Sequence, residues 1–103
     1  MLIYSTVAAA GSSQATATEL TSKYTTVTGG DGSVGVRLSA AKPGNEFHVY
    51  NAAATGGVKV YPHVGGDIND GTQNAAVVIE GKTLGVFECM DGQTWAGQFT
   101  VDT

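Results

Sequence analysis

From Val34 onward the chain alternates apolar and polar positions in short runs, and glycine-bearing turns cut one run from the next. Val34, Val36 and Leu38 alternate with Gly35 and Arg37, the period-two signature of a half-buried strand. Glu46 to Tyr50 repeats the pattern, with Phe47 and Val49 on one face and His48 and Tyr50 on the other. Val58 to Tyr61 follows and stops at Pro62, which has no N–H to give to a ladder. Ala75–Ile79, Thr83–Cys89 and Gln93–Val101 complete the series; Trp95, Gly97, Phe99 and Val101 share one face of the last strand.

The turns between these runs have recognisable chemistry. In Lys42-Pro43-Gly44-Asn45 the proline presets φ and the glycine supplies a positive φ. Gly56-Gly57 and Gly65-Gly66 break the chain again, and Asp70-Gly71 closes a short segment around Ile68. Glu80-Gly81-Lys82 reads as a hairpin loop, and Asp91-Gly92 joins the last two strands. Short strands with turn signals every 8–12 residues or so point to an all-β fold. The expected architecture is a small antiparallel β-sandwich or β-barrel, jelly-roll-like, with a less regular N-terminal arm. No exact internal repeat and no interdomain linker stand out.

Residues 1–30 are patterned differently. They are rich in Ser, Thr and Ala and lack regular glycine turns. Leu2 to Val7 suits a first strand or an extended arm, broken at Gly11-Ser12-Ser13. Between Ala15 and Tyr24 a short helix is conceivable: Ala17, Leu20 and Tyr24 fall near one face, and Glu19 precedes Lys23 at i,i+4 spacing. The threonines there oppose it, because β-branched side chains lose χ1 freedom in a helix. Tyr24 to Thr28 is β-rich and ends at the Gly29-Gly30-Asp31-Gly32 turn. The expected organisation is an N-terminal arm over 1–30 and a compact β domain over 31–103, folding as one unit. Weak patterning in the arm suggests order gained from a partner, with Met1, Leu2, Ile3 and Tyr4 as candidate docking residues.

Composition narrows the function classes. At 103 residues the chain has room for one domain with a modest core. Charged residues are only 14%, against about 25% in ordinary domains. A neutral Ser/Thr/Ala/Gly surface loses little when a partner desolvates it. Net charge is −4, and Lys23, Arg37, Lys42, Lys59 and Lys82 are scattered singly. Nucleic acid and anionic membrane are therefore not expected partners, since both need clustered cations. No apolar run reaches the ~20 residues that span a bilayer, and Met1-Leu2-Ile3-Tyr4 does not read as a secretory signal. Cys89 is the single cysteine, so no internal disulfide is available.

The groups that might carry chemistry are few. Asp67-Ile68-Asn69-Asp70-Gly71 looks like a calcium loop, but its glycine comes one place early and Val78 stands where a bidentate Glu is needed. It reads as a surface turn. His48, His63 and Cys89 lack zinc-ligand spacing, and the two histidines are expected as outward side chains on a half-buried sheet. Cys89 sits near Glu88 and Asp91, a field that disfavours the thiolate, so a buried structural thiol is the expectation. No glycine run matches a phosphate loop. Trp95 is expected in the core, with Tyr50 and Tyr61 as rim aromatics whose rings pack while their hydroxyls stay wet. No catalytic residue, cofactor or metal is assigned, and an enzyme is not expected.

Several words occur in a suggestive order: Gly35-Val36-Arg37-Leu38, Val49-Tyr50-Asn51-Ala52, Val60-Tyr61-Pro62 and Gly66-Asp67-Ile68-Asn69, then Phe87-Glu88-Cys89 and Trp95. With the lead-in Gly11-Ser12-Ser13-Gln14-Ala15-Thr16-Ala17, this resembles a β module of tailed-bacteriophage virion proteins, most like a small capsid decoration or cement protein. Ser39 departs from that family's pattern, which favours proline after the Val-Arg-Leu word. The resemblance implies a virion structural protein on the capsid exterior, made in the host bacterial cytoplasm. It implies the major capsid protein as partner, and a homo-oligomer, a trimer, as the bound form. It supplies no catalytic residue. The rival expectation is a receptor- or glycan-binding module of a phage fibre or adhesin.

Overall fold

The computed structural model describes residues 4–39 and 41–100, and among these the fold is all-β. Its strands are β1 (Tyr4–Ala8), β2 (Thr18–Glu19), β3 (Tyr24–Thr28), β4 (Gly35–Arg37), β5 (Glu46–Asn51), β6 (Val58–Tyr61), β7 (Asp67–Ile68), β8 (Val77–Ile79), β9 (Thr83–Cys89) and β10 (Thr94–Gln98). They form a six-stranded sheet ordered β1-β3-β5-β9-β10-β7 and a four-stranded sheet ordered β2-β4-β6-β8. From β1 to β8 the chain changes sheet at every step.

That alternation makes the molecule solenoid-like. β1, β3 and β5 stack parallel in one sheet while β2, β4 and β6 stack parallel in the other. Parallel neighbours need a long crossover between them. Here a strand of the facing sheet provides it, so each winding contributes one rung to each sheet. The stack is closed by antiparallel strands, β8 on β6 and β9 on β5. β10 then returns along β9, and β7 pairs parallel to β10.

The all-β expectation holds, as two facing sheets, while the expected antiparallel order is corrected: β1, β3 and β5, and β2, β4 and β6, pair in parallel in a wound, solenoid-like arrangement. The reason lies in the glycine turns, which read locally as hairpins but act as corners between sheets. Gly30 and Gly56 occupy equivalent corners, and a Cβ on Gly56 would collide with the Gly30 carbonyl. Glu80-Gly81-Lys82 is also a corner, carrying the chain from β8 in one sheet to β9 in the other, with Lys82 at φ 58°. Asp91-Gly92 does close a hairpin, between β9 and β10. There Asp91 Oδ1 accepts the N–H groups of Gln93 (2.9 Å) and Thr94 (2.7 Å).

Residues 4–30 belong to the body of the fold. β1 and β3 are rungs of the large sheet, and Leu20 and Val27 are fully buried in the core. No helix forms between Ala15 and Tyr24. Ser13 to Thr16 is a turn, Thr18 and Glu19 pair with Val36 and Arg37, and Glu19 meets Arg37 at 2.7 Å rather than Lys23. Placing Leu20 between the sheets outweighs the weak helical pattern of a threonine-rich stretch.

The core lies between the sheets and is built from the inward alternate positions. Val36, Leu38, Val49, Val58, Val60, Ile79, Phe87 and Trp95 all have no exposed surface. β5 shows the alternation cleanly, with Phe47, Val49 and Asn51 inside and Glu46, His48 and Tyr50 outside. Asn51 is fully buried yet satisfied: its amide donates to the Gly56 (2.9 Å) and Ile79 (3.1 Å) carbonyls and its oxygen accepts from the Ala53 N–H (3.0 Å). It therefore ties the third winding to the closing strand β8.

Candidate functional site

The outer face of the six-stranded sheet carries the most unusual chemistry. Register places Tyr4, Tyr24, His48, Val86 and Gln98 in one row across five strands. The next outward row runs Thr6, Thr26, Tyr50, Leu84. Outward residues of neighbouring rungs stand close enough to interact directly. The Tyr24 and His48 rings lie 4.6 Å apart at 30°. Tyr4, Tyr24 and Leu84 are 73%, 47% and 50% exposed, so this face offers apolar surface to solvent.

Beside the rings sits a small charge cluster. Glu46 Oε1 accepts from Lys23 Nζ and from His48 Nε2, each at 3.1 Å. Lys23 Nζ also stands 5.8 Å from the Tyr24 ring centroid. The hydrogen bond from His48, then that from Lys23, holds the Glu46 carboxyl below its ordinary range. Glu46 in turn raises the Lys23 ammonium above its usual value, by hydrogen bond first and charge second. A cavity of about 330 Å³ opens at the same end of the sheet. It lies between two successive corners, the β2–β3 corner at Thr21 to Lys23 and the β4–β5 corner at Gly44 to Glu46. Ser22 lines it, is 1% exposed, and has a hydroxyl without a hydrogen-bond partner among the described residues.

The residues expected at a site are dispersed. Met1, Leu2 and Ile3 lie outside the described residues. Tyr4 opens β1 on the exposed outer face, and Tyr50 stands on that face in β5, half-buried. Tyr61 is not a rim aromatic: it is only 8% exposed and its hydroxyl donates to the Ser12 carbonyl at 3.1 Å. The segment around Ser12 to Gln14 covers the outer face of the smaller sheet, with Arg37 Nη1 donating to the Gln14 carbonyl at 3.1 Å. That long-range cover is what buries Tyr61.

The two histidines differ. His48 points outward as expected, whereas the His63 ring accepts the Trp95 indole N–H at Nδ1, 3.0 Å away. Cys89 is buried at 2% exposure, opposite Trp95 in register. Among the described residues no three His, Cys, Asp or Glu side chains converge on one point. What the outer face does have is rings to stack on, hydroxyls, and an ion pair that neutralises itself.

The Tyr24 cluster did have a sequence signal. Tyr4-Ser5-Thr6-Val7-Ala8 and Tyr24-Thr25-Thr26-Val27-Thr28 are near copies, and they stack residue for residue. The repeat is inexact and appears once, so it is easily passed over in a chain rich in Ser and Thr. No protein-family model, curated protein or solved structure matches this chain.

Proposed function

We propose that this chain is an assembly module that acts by protein–protein contact, in the role its resemblance to phage virion proteins suggests. It decorates the outer face of a tailed-phage capsid, as a trimer, and braces neighbouring copies of the major capsid protein. The observation that carries this reading is the outer edge of β1. Among the described residues no strand pairs with that edge. The Ala9 N–H donates to the Thr28 carbonyl at 2.9 Å, so strand alternation turns the main-chain groups of Ser5 and Val7 toward β3 and those of Thr6 and Ala8 away from it. Thr18 Oγ1 takes the Ala8 carbonyl, leaving the Thr6 pair and the Ala8 N–H at the edge.

Edges of this kind invite another chain, and proteins usually blunt them with charge or proline. β1 and its neighbour β3 contain neither. A strand of the capsid protein added along β1 would gain main-chain hydrogen bonds without stripping water from charges. Repetition over a symmetric shell then turns a modest contact of about 1,600 Å² into a strong brace.

Thr6→Pro tests the reading, because proline is tolerated at an edge position whose N–H faces outward and yet blocks strand addition. Co-sedimentation with undecorated capsids is expected for the wild type and lost for Thr6→Pro, with the circular dichroism of the two alike. Equal retention of both would remove the edge from the mechanism.

A further inference from the structure

We infer that the corner cavity beside Tyr24 is a binding site for a neutral, hydroxyl-rich ring, a pyranose unit of a glycan. The inference goes beyond capsid assembly and stands independently of it, because a strand added at the β1 edge lies in the plane of the sheet and leaves this face open.

Three features fix the class of ligand. The first is the ring plate, which stands beside the cavity, next to the lining residue Lys23, and is not itself part of the lining. Tyr24 is 47% exposed and braced by His48 at 4.6 Å between centroids, so it presents a pre-positioned apolar surface for the C–H face of a sugar. The second is the ion pair in its lining. Lys23 and Glu46 neutralise each other at 3.1 Å, which leaves no net charge to attract an ionic ligand. A pair of adjacent hydroxyls suits this arrangement, since each hydroxyl can donate to the carboxylate and accept from the ammonium. The third is the cavity itself. Its volume of about 330 Å³ falls in the range of small-molecule sites, which combine apolar walls with a few convergent polar groups. Phe47 supplies apolar wall; Thr21, Ser22 and Ser39 bring hydroxyls. The Ser22 hydroxyl is the one among them that is buried with no partner. Buried polar groups are ordinarily hydrogen-bonded, so this one marks a place where a bond is still to be made.

Local folding explains why these groups meet. Tyr24 and His48 are opposite each other in parallel register, and Lys23 and Glu46 sit where the corners enter the same two strands. A solenoid repeats its corners at one end, so hydroxyl-bearing turns of successive windings are stacked side by side there.

The test is an amide chemical-shift titration of the full chain with methyl glycosides of glucose, galactose and mannose, and with N-acetylglucosamine. At least one is expected to give saturable shifts confined to the amides of Thr21–Tyr24 and Asn45–His48, with millimolar affinity. Tyr24→Ala, which removes the plate at an exposed position, should weaken that affinity roughly tenfold. Tyr24→Phe, which keeps the ring, should retain it. Absence of saturable shifts with every sugar overturns the inference, as does an affinity unchanged in Tyr24→Ala. Capsid retention of Tyr24→Ala is expected to equal that of wild type, so the failure of one proposal is distinguishable from the failure of the other.

Discussion

The Trp95 indole N–H donates to His63 Nδ1 at 3.0 Å, and this bond joins the largest buried side chain to the corner that follows β6. It fixes the imidazole tautomer with its proton on Nε2, and it satisfies a donor that has no access to water. The His63 ring also packs against Gly66, where a Cβ would run into it. We predict that His63→Ala lowers unfolding free energy by about 1–3 kcal/mol, the usual cost of leaving a buried donor unpaired. Urea unfolding of His63→Ala, Trp95→Phe and the double variant should show strongly non-additive losses. Additive losses would mean the bond contributes nothing.

The stacked corners at Gly30 and Gly56 make a second prediction. A methyl group at Gly56 meets backbone, the Gly30 carbonyl and the Asp31 Cα, rather than a side chain that can swing aside. Gly56→Ala should therefore destabilise the fold by roughly 1–3 kcal/mol. Gly29→Ala is a useful contrast, because nothing stands within 4 Å of its Cβ position; its cost comes only from a positive φ of 80°. Thermal melts that rank Gly29→Ala as the more damaging would contradict the corner-stacking account.

Acid sensitivity follows from two aspartate turns. Asp31 Oδ1 accepts the Ser33 N–H and hydroxyl and the Val34 N–H, and Asp91 Oδ1 accepts the Thr94 and Gln93 N–H groups. These bonds hold both carboxyls below their ordinary value of 3.8, led by the Ser33 N–H for Asp31 and the Thr94 N–H for Asp91. A carboxyl depressed in the folded state stabilises the fold above its unfolded pKa, and that contribution is lost as pH falls through the folded value. Stability measured in urea should hold from neutral pH to about 4 and decline below it. Asp31→Asn with Asp91→Asn should flatten that decline. An unchanged acid slope in the double variant would assign the loss to other groups.

Asp67 is hydrogen-bonded less fully than these two aspartates. It is 7% exposed, and among the described residues its Oδ1 has no hydrogen-bond partner and its Oδ2 has only a long 3.4 Å contact with Gln93 Nε2. An under-paired charge in that position costs free energy. Asp67→Asn keeps the shape and removes the charge, so it should raise stability by about 1 kcal/mol at neutral pH. A destabilised Asp67→Asn, read from the midpoint of chemical unfolding, would show that the carboxylate has a partner it needs.

The alternation of β5, the β9–β10 hairpin, the buried Cys89 and the buried Trp95 are all legible from the sequence. Each depends on nearest neighbours along the chain, where period-two burial and turn chemistry act. The winding is not legible in the same way. Gly29 to Gly32 and Gly56-Gly57 have the composition of hairpin turns, and only the stacking of Tyr24 on Tyr4 and of His48 on Tyr24 reveals that they are corners. The positions of Tyr61 and His63 are not legible for a related reason. Their environments come from Ser12 and from Trp95, 49 and 32 residues away, and no local pattern encodes such partners. The candidate site was hidden because Lys23, Tyr24, Glu46 and His48 are unremarkable until parallel register brings two corners together.

Hydrogen exchange on decorated capsids addresses the β1 edge most directly. In the free chain the outward amides of Thr6 and Ala8 should exchange fast relative to those of β5, which is bonded on both sides. On capsids, Thr6 and Ala8 are predicted to become strongly protected while the amides of β9 and β10 stay as they were. Protection that leaves Thr6 and Ala8 exchanging at their free rates would contradict assembly through this edge.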